Sequence, residues 1–150
     1  MTITFCGHSD FCKTYAYESK ILEILEETVG EEAAEIYLGG YGSFDSFAYE
    51  CCKKYKKTHP NISLVFVTPY ITTQYQESYL KGIEDMYDCI VYPEIEDKPM
   101  KFAIVYRNRY MVEKSDFVIA FVSRKYGGAY STYKYAMRKG KTVLNLAELQ

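Results

Sequence analysis

One segment, Glu35–Glu50, constrains the fold of this 150-residue chain more than any other. It opens as a short apolar strand, Glu35–Leu38, and ends with the spacing of an amphipathic helix. Between the two, three glycines fall within four residues: Gly39, Gly40 and Gly42. Glycine permits positive φ and lets a ligand approach the main chain with no Cβ in the way. The segment therefore predicts a strand–turn–helix unit whose helix start can hold an anion such as phosphate.

The first residues of that helix suit two different roles. Ser43 and Asp45 can each cap the helix N-terminus, and the Ser43 hydroxyl can also donate to a phosphate. An ordinary capped turn explains this pattern as well as a binding loop does. A second occurrence of the same pattern favours binding.

That second occurrence lies near the C-terminus, where Ser123 follows an apolar strand. A glycine pair follows, Gly127-Gly128, and then the hydroxyl residues Ser131 and Thr132 at the predicted start of another helix. Because ligands of parallel α/β sheets bind outside the carboxyl ends of the strands, two such turns indicate a shared site.

Strands and helices alternate along the whole chain. The predicted strands are Thr2–Cys6, Glu35–Leu38, Ile62–Val67, Asp88–Tyr92, Phe117–Val122 and Thr142–Leu146. The predicted helices are Ser19–Val29, Ser43–Lys57, Gln74–Ile83, a helix from Lys101 or Phe102 to Lys114, and Tyr133–Arg138. This order is typical of an open, doubly wound, mostly parallel α/β sheet with helices on both faces. The length favours a single domain over residues 1–150.

Two further groups are candidates for ligand binding. The first strand ends at Gly7 and His8, and His8 can bind a ligand or simply cap the loop. Arg107 and Arg109 can offer guanidinium groups to a phosphate or carboxylate. Because they are two residues apart on a predicted helix, they cannot both face the same way.

The composition argues against several classes of function. The 18 Lys and Arg against 20 Asp and Glu give a formal charge of −2, so nucleic acid is predicted to be an unlikely partner. Five cysteines without regular spacing predict no metal site and a reducing, cytoplasmic setting. No apolar run approaches the ~20 residues that span a membrane, and no cofactor is predicted.

The segment Arg107–Ala120, with Gly127-Gly128 and Ser131-Thr132, resembles the SLOG superfamily of Rossmann-like folds. That superfamily includes the DNA-processing protein Smf/DprA and the LOG phosphoribohydrolases that activate cytokinins. The first turn, Gly-Gly-x-Gly-x-x-Asp-x-x-x-x-Glu, is more similar to the branch of uncharacterised bacterial proteins typified by YspA and YpsA. The resemblance implies a nucleotide-like small molecule as ligand, such as an ADP-ribose-type or cyclic nucleotide signal. It also implies a homodimer, since the LOG group is dimeric.

The LOG loop, Pro-Gly-Gly-x-Gly-Thr-x-x-Glu, ends in a glutamate that serves hydrolysis, and here Tyr135 stands three residues after Thr132. Cleavage of an N-glycosidic bond needs a carboxylate to stabilise oxocarbenium-like charge. Only Asp45 or Glu50, from the first turn, could replace it. We therefore expect a protein that senses, carries or sequesters its ligand. The alternative is a nucleotide N-glycosidase, phosphoribohydrolase or ribosyltransferase-like enzyme with Asp45 or Glu50 as the catalytic carboxylate.

Overall fold

The computed structural model describes residues 1–149, and these form a six-stranded sheet. The strands are β1 (Thr2–Gly7), β2 (Ala34–Leu38), β3 (Ile62–Val67), β4 (Cys89–Val91), β5 (Phe117–Phe121) and β6 (Thr142–Asn145). All neighbouring strands run parallel, in the spatial order β4-β3-β2-β1-β5-β6. The predicted doubly wound, parallel α/β class is therefore confirmed.

The helices are α1 (Tyr15–Thr28), α2 (Gly42–Lys56), α3 (Thr73–Tyr75), α4 (Lys81–Ile83), α5 (Ala103–Lys114) and α6 (Gly128–Arg138). A π-helical turn, Gln76–Leu80, joins α3 to α4, where the sequence predicted one regular helix. The side chains of Gln76 and Ser78 donate to main-chain carbonyl oxygens here, at 2.6 and 2.7 Å, and such bonds compete with a regular helix ladder. Within residues 1–149, none of the helices has the length and apolar content needed to cross a membrane.

The helices cover both faces of the sheet. Helices α1 and α2 contact each other and bury the larger apolar core, which includes Ile21, Leu25 and Phe44. Helices α5 and α6 contact each other above a separate apolar cluster that includes Val112 and Ala136. Right-handed crossovers between parallel strands place these two helix pairs on opposite faces.

Helix α1 begins four residues before the predicted start at Ser19. The hydroxyl oxygen of Thr14 accepts a hydrogen bond from the main-chain N–H of Tyr17 at 3.3 Å, which satisfies one of the free donors of the first turn. The cap therefore extends the helix past the residues whose apolar spacing predicted it.

Helix α6 begins at Gly128, five residues before the predicted start at Tyr133. Gly127 precedes it with a φ of 93°, a conformation that favours glycine. Ser131 and Thr132 consequently lie inside the helix rather than in a loop. The Thr132 hydroxyl donates to the carbonyl oxygen of Gly128 at 3.0 Å, so part of its hydrogen-bonding capacity is used within α6.

The order of the strands reverses between β1 and β5. Strands β2, β3 and β4 extend the sheet on one side of β1, and the chain then returns to add β5 and β6 on the other. Gly7 at the end of β1 is paired with Phe121 at the end of β5. In sheets of this kind a crevice forms at such a switch point, outside the carboxyl ends of the two strands.

Candidate functional site

A pocket opens at this switch point, with a cavity of about 210 Å³. The end of β1, the turn before α2, helix α5 and the start of α6 form its walls. We call it the switch-point pocket. The residues in its wall that bear on binding are Gly7, His8, Tyr41, Asp45, Arg107, Asn108, Arg124, Tyr126, Gly127, Gly128 and Thr132.

Helix α6 begins at this pocket with an uncapped N-terminus, since no side chain accepts from its first N–H groups. A Cβ placed on Gly127 or Gly128 would meet no atom within 4 Å, so the space in front of both glycines is open. The first N–H groups of a helix have no partner within it, and the helix dipole places partial positive charge there. The start of α6 therefore has the geometry of an anion site.

Arg124 adds a guanidinium group, ion-paired with Asp10, to the same wall of the pocket. Its two terminal nitrogens donate to the carboxylate oxygens of Asp10 at 3.0 and 2.9 Å, and its guanidinium lies 5.5 Å from the ring centre of Tyr126. Among the described residues, its Nε is the one fully buried side-chain nitrogen or oxygen without a hydrogen-bond partner. A buried donor without a protein partner is uncommon in folded proteins, and a water, an ion or a ligand can supply its acceptor.

His8 connects the ends of β1 and β5 below this wall. It is 4% exposed, and its Nε2 accepts a hydrogen bond from the main-chain N–H of Ser123 at 2.9 Å. That bond requires an unprotonated Nε2, so the ring is neutral. Burial lowers the pKa of His8, and the charge of Arg124 lowers it further. His8 therefore shapes the pocket and holds the switch point together as a neutral group.

Arg107 lies at the back of the pocket and is 1% exposed. Its Nη1 donates to the carbonyl oxygens of Gly39 and Val67, at 2.9 and 2.8 Å, and its Nε donates to Asn108 Oδ1 at 2.9 Å. The two carbonyls belong to the turns after β2 and at the end of β3. Arg107 thus connects the ends of β2 and β3, and this structural role uses most of its N–H donors.

Asp45 is the carboxyl group in the wall of the pocket. Its Oδ2 accepts from the main-chain N–H of Tyr41 at 3.0 Å. Burial raises the pKa of Asp45 to about 6, although this hydrogen bond and the nearby charge of Arg107 oppose the rise. A carboxyl group that titrates near neutral pH is suited to proton transfer.

The first glycine turn is closed by packing. A Cβ on Gly40 would lie 2.7 Å from the Phe66 ring, and one on Gly42 would lie 2.7 Å from Cα of Ser9. The main-chain N–H of Ser43 donates to the carbonyl oxygen of Ser9 at 3.0 Å, so the chain itself occupies the start of α2. The predicted ligand residues Gly39, Gly40, Gly42 and Ser43 lie outside the wall of the switch-point pocket.

Four other predicted residues also lie outside that wall. Glu50 is exposed on α2, and Ser131 is exposed on α6. Arg109 lies on the outer side of α5, with its guanidinium 5.1 Å from the ring centre of Tyr135. Ser123 contributes a main-chain N–H, which His8 accepts. Of the two candidate catalytic carboxylates, the structure places only Asp45 at the pocket.

Six polar wall residues are not among the candidates predicted from the sequence: Thr4, Ser9, Tyr41, Asn108, Arg124 and Tyr126. Arg124 and Tyr126 follow β5 directly, and Tyr41 stands within the first glycine turn, so their places after strand ends could have identified them. Asn108 has no comparable signal, because it stands in the middle of α5 between two arginines and far from any strand end.

A parallel, doubly wound sheet with a pocket at its switch point defines a Rossmann-like α/β protein. No family model matches the chain. Over 129 residues it is 29% identical to the UPF0398 protein BH1768 of Halalkalibacterium halodurans, an alignment that covers 83% of this chain and 66% of BH1768. Over 137 residues it is 25% identical to the uncharacterized SPbeta prophage-derived protein YoqJ of Bacillus subtilis, covering 81% of this chain and 80% of YoqJ.

Two solved structures share the fold over 95% of this chain. DNA processing protein A (DprA) of Helicobacter pylori has a TM-score of 0.62 at 19% identity, with 63% of that protein covered. DprA of Streptococcus pneumoniae has a TM-score of 0.63 at 18% identity, with 48% covered. The chain therefore spans only about two thirds of BH1768 and about half of the pneumococcal protein. These relatives and this fold support a SLOG-type assignment, and the resemblance seen in the sequence is confirmed.

The prediction that nucleic acid is an unlikely partner is wrong. The Helicobacter pylori neighbour is described by its single-stranded DNA binding mode, so a protein of this fold takes such a partner. The prediction relied on the net charge of −2, which averages over the whole chain. Residues 98–141 alone contain eleven Lys and Arg and two Asp and Glu. A local basic surface can attract phosphates whatever the net charge of the chain.

Proposed function

We propose that this protein binds a nucleotide through its phosphate at the switch-point pocket. The phosphate accepts from the first N–H groups of α6, in the open space before Gly127 and Gly128. The observation that carries the proposal is the unpartnered Nε of Arg124 beside that uncapped helix start. A phosphate oxygen supplies the acceptor that this nitrogen lacks.

The rest of the nucleotide lies along the pocket between α5 and the turn before α2. Tyr126 and Tyr41 are 68% and 62% exposed at its rim, where either ring can stack on a base. Asn108 offers an amide group, and its Oδ1 is already held by Arg107. The DprA of Helicobacter pylori, with its single-stranded DNA binding mode, supports a nucleotide unit as the ligand, free or within a strand.

Isothermal titration calorimetry with AMP, ADP-ribose and cyclic AMP tests the proposal. We expect Arg124→Gln to weaken binding of at least one of them tenfold or more, about 1.4 kcal/mol, because it removes a charge-assisted hydrogen bond. The control is Lys53→Gln, which removes one positive charge from the exposed side of α2, outside the wall of the switch-point pocket. Equal affinity of wild type and Arg124→Gln for every nucleotide bound would contradict the proposal.

A labelled single-stranded oligonucleotide separates the two sources of the nucleotide. If the ligand is a unit within a strand, AMP competes with the oligonucleotide only at high concentration. If it is a free signal, the mononucleotide binds more tightly than the oligonucleotide. A ligand recovered unchanged after denaturation supports sensing, transport or sequestration rather than turnover.

One observation favours a second candidate function, hydrolysis of an N-glycosidic bond. Asp45 lies at the pocket, and burial raises its pKa to about 6. In this alternative the carboxylate stabilises the oxocarbenium-like charge and accepts a proton from water. Release of free base by wild type and not by Asp45→Asn would establish it. Unchanged release by Asp45→Asn would remove Asp45 from the reaction.

A further inference from the structure

The charges of this chain are strongly segregated along its sequence. Residues 98–141 carry eleven Lys and Arg against two Asp and Glu, a formal charge of +9. The remaining residues carry seven Lys and Arg against eighteen Asp and Glu, a formal charge of −11. The net charge of −2 is therefore the small difference between one basic segment and an acidic remainder.

The structure brings much of the basic segment onto one surface. Helices α5 and α6 pack together and cover the same side of the sheet. Lys134, Arg138 and Lys139 are exposed, and Arg109 is half-buried beside them. Within residues 1–149, none of these four forms an ion pair. We call these four residues the basic face.

A tyrosine ring lies in the middle of the basic face. The charged groups of Arg109, Lys139 and Arg138 lie 5.1, 5.4 and 5.7 Å from the ring centre of Tyr135. The Tyr135 hydroxyl donates to the carboxylate of Glu113 on α5. Three cation–π contacts thus gather three positive charges around one side chain.

Helix capping explains only part of this arrangement. Arg138 and Lys139 at the end of α6 interact favourably with its dipole. Lys134 lies mid-helix, one turn before Arg138, and like charges at this spacing destabilise a helix. Arg109 belongs to another helix. An arrangement that concentrates unpaired cations is what binding of a polyanion requires.

We propose that the basic face binds the sugar–phosphate backbone of a single-stranded nucleic acid. Charge complementarity identifies a polyanion. Half-buried tyrosines among the cations, Tyr106, Tyr133 and Tyr135, favour a strand whose bases are unpaired, because only such bases offer free rings for stacking. This surface is separate from the switch-point pocket, and its function does not require the pocket to bind a nucleotide.

Fluorescence anisotropy with a labelled 20-nucleotide single strand tests this proposal. The test variant is Lys134→Glu/Arg138→Glu, a pair one helical turn apart on α6. The matched control is Lys53→Glu/Lys57→Glu, an exposed pair with the same spacing at the end of α2, on the other side of the sheet. Both variants change the net charge by the same amount. Circular dichroism checks that both variants are folded. If the test variant is not folded, Lys134→Gln/Arg138→Gln replaces it, because uncharged glutamines perturb the helix less than glutamates do.

We expect the test variant to lose at least tenfold in affinity at 0.1 M salt and the control to stay within twofold. The slope of log affinity against log salt concentration should become shallower by about 1.4, as expected when two phosphate contacts of a single strand are lost. AMP binding at the switch-point pocket should be the same in both variants.

Three results would overturn the proposal. The test and control variants could weaken binding equally, which would make the effect one of net charge. A duplex of the same sequence could bind as tightly as the single strand. Poly-glutamate of matched charge could also compete as well as the unlabelled strand, which would indicate an acidic protein as the partner.

Discussion

The two glycine turns have similar sequences, but in the structure the first is tightly packed and the second is open. The first, around Gly40 and Gly42, is filled by its own neighbours, because Phe66 and Ser9 occupy the space that a Cβ would need. The second, Gly127 and Gly128, has no atom within 4 Å of either Cβ position. Glycine in the first turn permits close packing, and glycine in the second leaves room for a ligand.

The two helix starts differ in the same way. The N-terminus of α2 is occupied by the chain, since the Ser43 N–H donates to the carbonyl oxygen of Ser9 and the Tyr41 N–H donates to Asp45. The N-terminus of α6 has no side-chain cap. A glycine-rich turn before a helix therefore indicates an anion site only where the helix donors remain free.

The largest expected effect concerns Arg107, which holds the first turn closed. Arg107→Leu leaves the carbonyl oxygens of Gly39 and Val67 without this donor in a buried setting. We expect the free energy of unfolding to fall by about 3–5 kcal/mol, the usual cost of breaking a buried polar network. Urea denaturation measures it. Arg109→Leu, the control on the outer side of α5, should change stability by no more than about 0.5 kcal/mol. Equal losses in the two variants would contradict the role of Arg107.

The next prediction compares the turns directly. Gly42 and Gly127 both have positive φ values, 89° and 93°, which alanine rarely adopts, so alanine introduces backbone strain at both. Only at Gly42 does the Cβ also collide with main-chain atoms, 2.7 Å from Cα of Ser9. We expect Gly42→Ala to lower the free energy of unfolding by about 3 kcal/mol, and Gly127→Ala by about 1–2 kcal/mol, the cost of the strained φ alone. Equal losses by urea denaturation would show that the two turns are packed alike.

The sequence predicted the fold well because apolar runs and glycine stops report on strands directly. Strand Ile62–Val67 was placed at its observed bounds, since a continuous β-branched run is typical of a strand buried on both faces. The predicted starts of the helices were less accurate than the predicted strands. Caps such as Thr14 and Gly127 depend on the conformation of single residues and do not alter the apolar periodicity.

The sequence predicted where the candidate site lies better than it predicted which residues line it. Gly127, Gly128 and His8 were placed at strand ends by local pattern, and the structure puts all three at the pocket. Sequence alone could not separate the two turns, because the atoms that fill the first come from distant residues such as Ser9 and Phe66. Likewise, periodicity showed that Arg107 and Arg109 face different ways but could not show which one is buried.

A third prediction uses the carboxyl group beside the first turn. The folded protein raises the pKa of Asp45 to about 6, so the folded state binds a proton more tightly than the unfolded chain does. The resulting stability is present at pH 4 and is lost as the pH rises through about 6. Asp45→Asn keeps an acceptor for the Tyr41 N–H and does not titrate.

We therefore expect the free energy of unfolding of wild type, relative to Asp45→Asn, to fall by up to about 2 kcal/mol between pH 4 and pH 7.5. Other titrating groups such as His8 are present in both proteins, so their contributions cancel in the difference. Urea denaturation at four pH values measures it. Parallel pH profiles for the two proteins would mean that the carboxyl group is not shielded from water.

The smallest expected change in stability comes from Gly128→Ala, and it tests the open turn most sharply. Gly128 is the first residue of α6, and its Cβ position is empty, so alanine should leave the free energy of unfolding within about 0.5 kcal/mol or raise it slightly. If a phosphate approaches the main chain there, the added methyl group obstructs it, and AMP affinity should fall at least threefold by calorimetry. The control is Gly82→Ala in α4, where a Cβ also meets no atom within 4 Å and the residue lies away from the pocket. It should leave AMP affinity unchanged. Wild-type affinity in Gly128→Ala would show that the ligand makes no close approach to the start of α6.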